Sequence, residues 1–254
     1  MTYEVIAAAR RTTRRRAVAV VVVVLVALAA LATGWFFLAR RGATAPSAIS
    51  TAPPTTPSTV DGSAAAGTQP EVTLDTGWAE IAGVELPVSA TTGPWNTRDG
   101  RARGFARTGA GAVFAAVHLL VRTTAQVGPN VFDPTFTEQV VGPDAASMHQ
   151  QVAQTYAQLR DTAQVPYGQP VGRLAAVLRG FRIDSYTPTD ATVVVLTEAA
   201  DSGGTPRLAA TQVRMRWTGD DWTLVAPAGG TWNDAVLIVP PDQAGTFTAL
   251  SQGR

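Results

Sequence analysis

Ala17 to Ala39 reads AVAVVVVVLVALAALATGWFFLA, 23 residues without a charge. As a helix it would run roughly 35 Å, against a bilayer hydrocarbon core of about 30 Å. Arg10, Arg11, Arg14, Arg15 and Arg16 precede it, and only Arg40 and Arg41 follow. Trp35, Phe36 and Phe37 lie near its far end, where aromatic rings suit the membrane interface. The excess of positive charge on the N-terminal side predicts a single-pass protein of the cell membrane, with Met1 to Arg16 cytoplasmic and everything after Arg41 exported. A cleaved signal peptide is the competing reading: its apolar core would run only about 7 to 15 residues, but Ala43-Thr44-Ala45 offers small residues of the cleavage type. A buried soluble helix fits less well, because eight of the nine residues from Val18 to Val26 are valine or leucine and none gives it a polar face.

This segment divides the chain into a basic tail (1–16), a membrane helix (17–39), a linker (40–71) and one exported domain (72–254). The linker text, Gly42 to Pro70, has five prolines, much Thr, Ser and Ala, and Asp61 as its one charge. Such a composition buries too little to offset its ordering entropy, so an extended spacer is expected. Residues 1–41 carry a balance of +6 and residues 42–254 a balance of −5, a split that the formal +1 of the whole chain conceals. The tail suits an anionic leaflet and the exported part does not suit nucleic acid. With no cysteine, neither disulfides nor thiolate metal sites are available.

Within the exported part, Trp78, Ile81, Val84, Leu86 and Val88 predict short extended pieces, and Gly93-Pro94 a turn. Arg98, Arg101, Arg103 and Arg107 then crowd into ten residues with Asp99 as the one opposing charge. The cluster reads either as a docking patch for an acidic partner or lipid phosphate, or as a solvated loop. Thr108 is positioned to cap a helix running to about Thr123, with Val113, Ala116, Val117 and Leu120 at helical spacing. Asp133-Pro134 predicts the cap and first turn of a short helix that closes before Gly142. Pro143 is expected to open a longer helix to about Ala163, whose stripe is Ala145, Met148, Val152, Thr155/Tyr156, Leu159 and Ala163. His118 is expected to be packed or hydrogen-bonded in its helix, and His149 to be exposed.

After Gly168 the period shortens to two. Phe181 and Ile183 alternate with Arg182 and Asp184 in a strand that ends near Tyr186. Ala191 to Glu198, Ala209 to Trp217 and Trp222 to Ala226 follow as strands, the first apolar on both faces, with Val236 to Val239 as a further edge segment. Helices followed by four antiparallel strands predict an α+β domain with helices packed on a curved sheet.

An anchor, a Pro/Thr linker, helices and a four-stranded meander resemble the bitopic NTF2-like (cystatin-like cone) proteins of conjugative type IV secretion systems. The stretches GPWNTRDGRARGFARTGAGAVFAAVHLLVRT, FTEQVVGPDAA, LRGFRIDSYTPTDATVVVLTEA and VRMRWTGDDWTLVAP are similar to a family of membrane proteins carried by actinobacterial integrative conjugative elements. The likeness spans roughly Trp78 to Trp232. It implies a part of a secretion or mating apparatus in the envelope, with other conjugation subunits as partners, and a homo-oligomer left open; it supplies no catalytic residues and no cofactor.

Enzymatic motifs are missing from the sequence. With no lysine there is no P-loop, the two histidines lie 31 apart without a His-Glu-x-x-His pattern, and no Gly-x-Ser-x-Gly elbow occurs. NTF2-like cones can host an Asp/Tyr isomerase site, which draws attention to Asp184, Tyr156, Tyr167 and Tyr186, although Asp184 falls on the strand face opposite Phe181 and Ile183. The expected role is therefore non-enzymatic assembly, with Arg98, Arg101, Arg103, Arg107, Trp95 and Trp232 as the docking candidates. The alternatives are an envelope-anchored module binding a lipid or cell-wall ligand, and an isomerase-type enzyme. A large apolar pocket would favour the first alternative; a cone filled by its own side chains would favour assembly.

Overall fold

The computed structural model describes residues 77–250. The basic tail (1–16), the membrane segment (17–39), the linker (40–71) and the first residues of the exported domain lie outside the described residues. Among the described residues no helix is long and apolar enough to cross a membrane.

Strands β1 (Gly77–Ile81) and β2 (Val84–Val88) form an antiparallel hairpin. Its two-residue turn, Ala82-Gly83, holds φ of 49° and 87°, the left-handed pair that matches the twist of the flanking strands. Helix α1 (Gly109–Arg122) begins as predicted, with Thr108 Oγ1 accepting the Gly111 N–H at 3.1 Å. It is buried on nearly every side, and only Ala110 and Leu120 escape full burial. A helix without a polar face must be covered all round, and α1 packs on β4 to β7 below and on β2 and α2 (Pro129–Gln139) above.

The start of α2 corrects the expectation of a cap at Asp133-Pro134. Gly128, at φ 82°, redirects the chain, and Pro129 takes the first helical position with its φ already set. Pro134 lies inside the helix, where its missing N–H forfeits the bond to the Asn130 carbonyl. A two-residue strand, β3 (Val140–Val141), follows, and then α3 (Ala145–Ala163), which ends at a left-handed Gln164. The predicted stripe of α3 is the face it buries as far as Leu159: Met148 and Tyr156 are enclosed, with Ala145, Val152 and Leu159 packed beside them, whereas Ala163 at the helix end is exposed.

Four long segments make the meander: β4 (Ala176–Tyr186), β5 (Asp190–Ala200), β6 (Pro206–Thr218) and β7 (Asp221–Val225), each antiparallel to the next. β3 adds in parallel to β7, with Val140 opposite Leu224. β8 (Val236–Val239) pairs with the first half of β6, beyond the reach of β7, and β9 (Thr248–Ala249) pairs with β4. Register shifts at Leu178/Gly180 and Ile183/Ser185 bend β4 and curve the sheet.

The inner face carries Phe181, Ile183, Val193, Val195, Val213, Met215, Trp222 and Leu224 into one core with α1, α2 and α3. The outer face is apolar at β5, as the sequence predicts. There Val194, Leu196, Ala210 and Val239 form a second, smaller cluster against which Leu208, Ala244 and Phe247 pack. The cover for β5 thus comes from the C-terminal segment.

Candidate functional site

The arginine-rich segment folds back on itself before α1. Ser89 and Gly93 exchange backbone bonds of 2.9 Å, the Trp95 N–H meets Gly104 O at 3.1 Å, and Asn96 pairs with Arg103 at 3.0 and 2.8 Å. Arg101 forks onto Glu138, with Nη2 and Nε 2.8 and 3.0 Å from its two oxygens, and Arg103 bonds the same carboxylate. Arg107 donates from Nε to Pro188 O at 2.8 Å, and its guanidinium lies 5.2 Å from the centre of the Trp217 ring. Three of the four arginines are thus engaged within the domain, and Arg98 is exposed.

Trp95 is 59% exposed, anchored by Nε1 donating to Ala90 O at 2.9 Å. It lines a shallow depression of ≈ 410 Å³ with Val88, Ala90 and Pro94. Trp232 is half-buried against the main core and follows the 228–230 turn that packs on α3. Of the docking candidates read from the sequence, Trp95 and Arg98 face outward, while Arg101, Arg103, Arg107 and Trp232 brace the domain.

His118 and Arg122 stand one helical turn apart on α1, 0% and 2% exposed. Arg122 Nη1 is 2.7 Å from His118 Nδ1, and His118 Nε2 is 2.8 Å from Pro87 O. A guanidinium only donates, so Nδ1 accepts and the ring proton sits on Nε2. Burial, and then the Arg122 charge, push the imidazole down to about 3 against the opposing Pro87 bond. Burial also pushes Arg122 down, to about 10, and its Nε donates to Gly100 O at 3.1 Å. Enclosed in this way, the pair has no access to a substrate; it ties α1 to β2 and to the 98–100 turn.

His149 departs from the expectation of exposure. It is half-buried, stacked on Phe136 with ring centres 4.8 Å apart, and its Nε2 is 2.6 Å from Asp133 Oδ1. Asp133 therefore joins α2 to α3 rather than capping a helix. The isomerase candidates do not converge either. Asp184 lies at the surface, paired with Arg182 at 2.7 Å. The Tyr156 hydroxyl donates to Gln169 O and accepts from the Gly168 N–H, both at 3.0 Å. The Tyr186 hydroxyl donates to Arg107 O at 3.1 Å, and Tyr167 is 71% exposed.

A polar cleft of ≈ 200 Å³ opens where the end of α2 meets the β6–β7 turn. Arg103, Glu138, Gln139, Thr218, Asp220, Asp221 and Thr223 supply its polar lining. Asp221 accepts three backbone N–H groups, from Gly104 at 2.8 Å, Phe105 at 3.0 Å and Trp222 at 2.9 Å. Even so, burial, aided by the charge of Asp220, holds its carboxyl above the usual value. Gln139 is 3% exposed; its Nε2 donates to Ala102 O at 2.5 Å, while its Oε1 is buried without a hydrogen-bond partner. In the sequence Gln139 falls inside the short helix expected to close before Gly142, and Gly219-Asp220-Asp221 joins two expected strands. The one signal available was a pair of adjacent acids at a hairpin, which is also ordinary turn chemistry.

Chemically the cleft is rich in acceptors. Among the described residues no group of three or more His, Asp or Glu side chains is placed to hold a metal ion. The fold and its clefts define a mixed α+β domain with a filled interior, a shallow apolar depression and a small polar recess. The chain belongs to the family described as a domain of unknown function, DUF8175, whose model matches residues 39–248. No curated protein and no solved structure matches it.

Proposed function

We propose that this chain is a non-enzymatic single-pass membrane protein that presents an NTF2-like domain outside the membrane as an assembly component of a conjugative transfer apparatus. The uncharged stretch 17–39 and its arginine asymmetry support the anchor. The order of helices first and meander second, with the helices laid on a curved sheet, supports the NTF2-like reading. The apparatus itself rests on the resemblance of Trp78 to Trp232 to proteins of conjugative elements.

The observation that carries assembly is at the surface. The space between helices and sheet holds Phe114, Met215, Trp222 and Leu224, each at most 1% exposed, which favours a domain filled by its own side chains over one built around an apolar ligand. Apolar side chains instead point outward on β8, where Leu237 is 72% and Ile238 69% exposed. β8 pairs with β6 along one side, and its other side carries no strand among the described residues. An edge of this kind is a template for another chain.

The test is the transfer frequency of the host element from a donor lacking this gene, complemented by the full chain or by a secreted form without residues 1–41. Loss of transfer rescued only by the anchored form is expected. Unchanged transfer in the deleted donor overturns the proposal.

A second reading, an envelope-anchored binding module, is favoured by the polar cleft. Its lining suits a small polar ligand better than a lipid.

A further inference from the structure

We infer that the cleft between the end of α2 and the β6–β7 turn binds a primary alkylammonium head, free or carried on a lysine-like side chain. Two independent features meet there. The first is charge: three carboxylates, Glu138, Asp220 and Asp221, line the cleft with one arginine, Arg103. Arg103 is already committed to Glu138, which also takes the fork of Arg101. Asp220 and Asp221 are left without a cation among the described residues. The second is an unmet hydrogen bond. Gln139 lines the same cleft, and its buried Oε1 has no donor. Turning the amide over does not help, because the present Nε2 holds Ala102 O and the reversed amide would set oxygen against oxygen.

The remaining groups are acceptors too. Thr218 donates its hydroxyl proton to Thr223 Oγ1 at 3.2 Å and keeps its lone pairs free, while Thr223 donates to Arg216 O at 2.9 Å. A matching ligand brings positive charge and several N–H donors, and an –NH3⁺ group has both. Size points the same way. At ≈ 200 Å³ the cleft lies below the roughly 300–1,000 Å³ of sites for drug-sized ligands, and suits a side-chain-sized head. An ammonium here would answer the Gln139 oxygen and offset the repulsion between Asp220 and Asp221. This holds whether or not the chain takes part in transfer.

The test is an NMR titration of the 15N-labelled full chain with n-butylammonium chloride, with tetramethylammonium chloride as a cation that lacks N–H donors. Saturable shifts are expected for the Gln139 side-chain amide and the Thr218 and Asp220 backbone N–H groups, with tetramethylammonium at least about tenfold weaker. Asp220→Asn, at the exposed rim, is expected to weaken n-butylammonium by about tenfold while leaving the fold intact. Lysine amide acetylated at its α-nitrogen only, with the side-chain ammonium free, is run in parallel to separate the sources: equal or tighter binding assigns the site to a lysine side chain, and binding of n-butylammonium alone to a small amine. No saturable shift, an equal response to tetramethylammonium, or an affinity untouched by Asp220→Asn overturns the inference.

Discussion

Asp221 Oδ2 accepts the Gly104 N–H at 2.8 Å, joining residues 117 apart in sequence. The same carboxylate takes Phe105 N–H, and the neighbouring Trp222 donates from Nε1 to Ala106 O at 3.0 Å. Residues 104–106 are thereby stapled to the first two residues of β7, directly ahead of the Thr108 cap that starts α1. Asp221→Ala leaves three backbone donors without that acceptor and is expected to destabilise the domain by about 2–4 kcal/mol. Urea denaturation reads this as a lower midpoint at unchanged slope. Asp221→Asn, which keeps one acceptor, is expected to lose less. Because burial raises the folded carboxyl above 3.8, ionisation is harder in the folded state than in the unfolded chain. The contribution of Asp221 is therefore greatest below pH 3.8 and declines as pH rises through its folded value, and Asp221→Asn removes that component.

Acid should act on the domain through His118 before carboxylates titrate. Its folded value of about 3 lies below the ordinary 6.5, so below pH 6.5 the unfolded chain binds the extra proton. Stability from this group is complete above 6.5 and is lost as pH falls toward 3. Between pH 7 and 5 the expected loss is about 2 kcal/mol. The measurement is urea denaturation at both pH values for the wild type and for His118→Asn, whose loss over the same interval should be smaller by that amount. Equal losses would show that His118 is not the group responsible.

Periodicity was a good guide wherever one face of an element meets the core. The stripe of α3 as far as Leu159 and the doubly apolar β5 read correctly, because side-chain direction follows backbone period. It failed where partners are distant in sequence. Leu120 belongs to the predicted face of α1, yet it is one of the two positions of that helix not fully buried, since β4 to β7, β2 and α2 together enclose the other faces. Asp133-Pro134 has the right letters for a cap, but Gly128-Pro129 offers a positive φ and a preset first turn earlier in the chain. The cleft was illegible for the same reason: Gln139 and Asp221 come together only through the fold, and neither carries a motif.

Gly111 illustrates a close approach that no turn demands. A Cβ built there would lie 1.8 Å from Ala106 O, a backbone atom with no side chain to move aside. Ala106 is itself held by the Trp222 indole and by its N–H bond to Thr92 O at 3.0 Å. In an open helix, glycine to alanine stabilises by up to about 1 kcal/mol. Here the sign should reverse, with Gly111→Ala destabilising by about 3 kcal/mol or more as the 104–106 staple is forced off α1. A thermal midpoint equal to or above the wild type would count against this packing.

The edge strand β8 separates docking from stability. Leu237 and Ile238 point outward from opposite faces of the strand, whereas Val239 beside them is 9% exposed and part of the outer cluster. Leu237→Ser with Ile238→Ser removes exposed apolar surface only, and exposed substitutions of this kind stay within about 0.5 kcal/mol each. Val239→Ser instead opens the cluster on Val194 and Leu196, at an expected cost of about 2 kcal/mol. If β8 is where another subunit adds, the double variant keeps its thermal midpoint and loses transfer, while Trp95→Ala, on a separate depression, retains transfer. Transfer frequency measured beside the midpoint for all three variants decides it, and a double variant that transfers normally moves the docking surface away from β8.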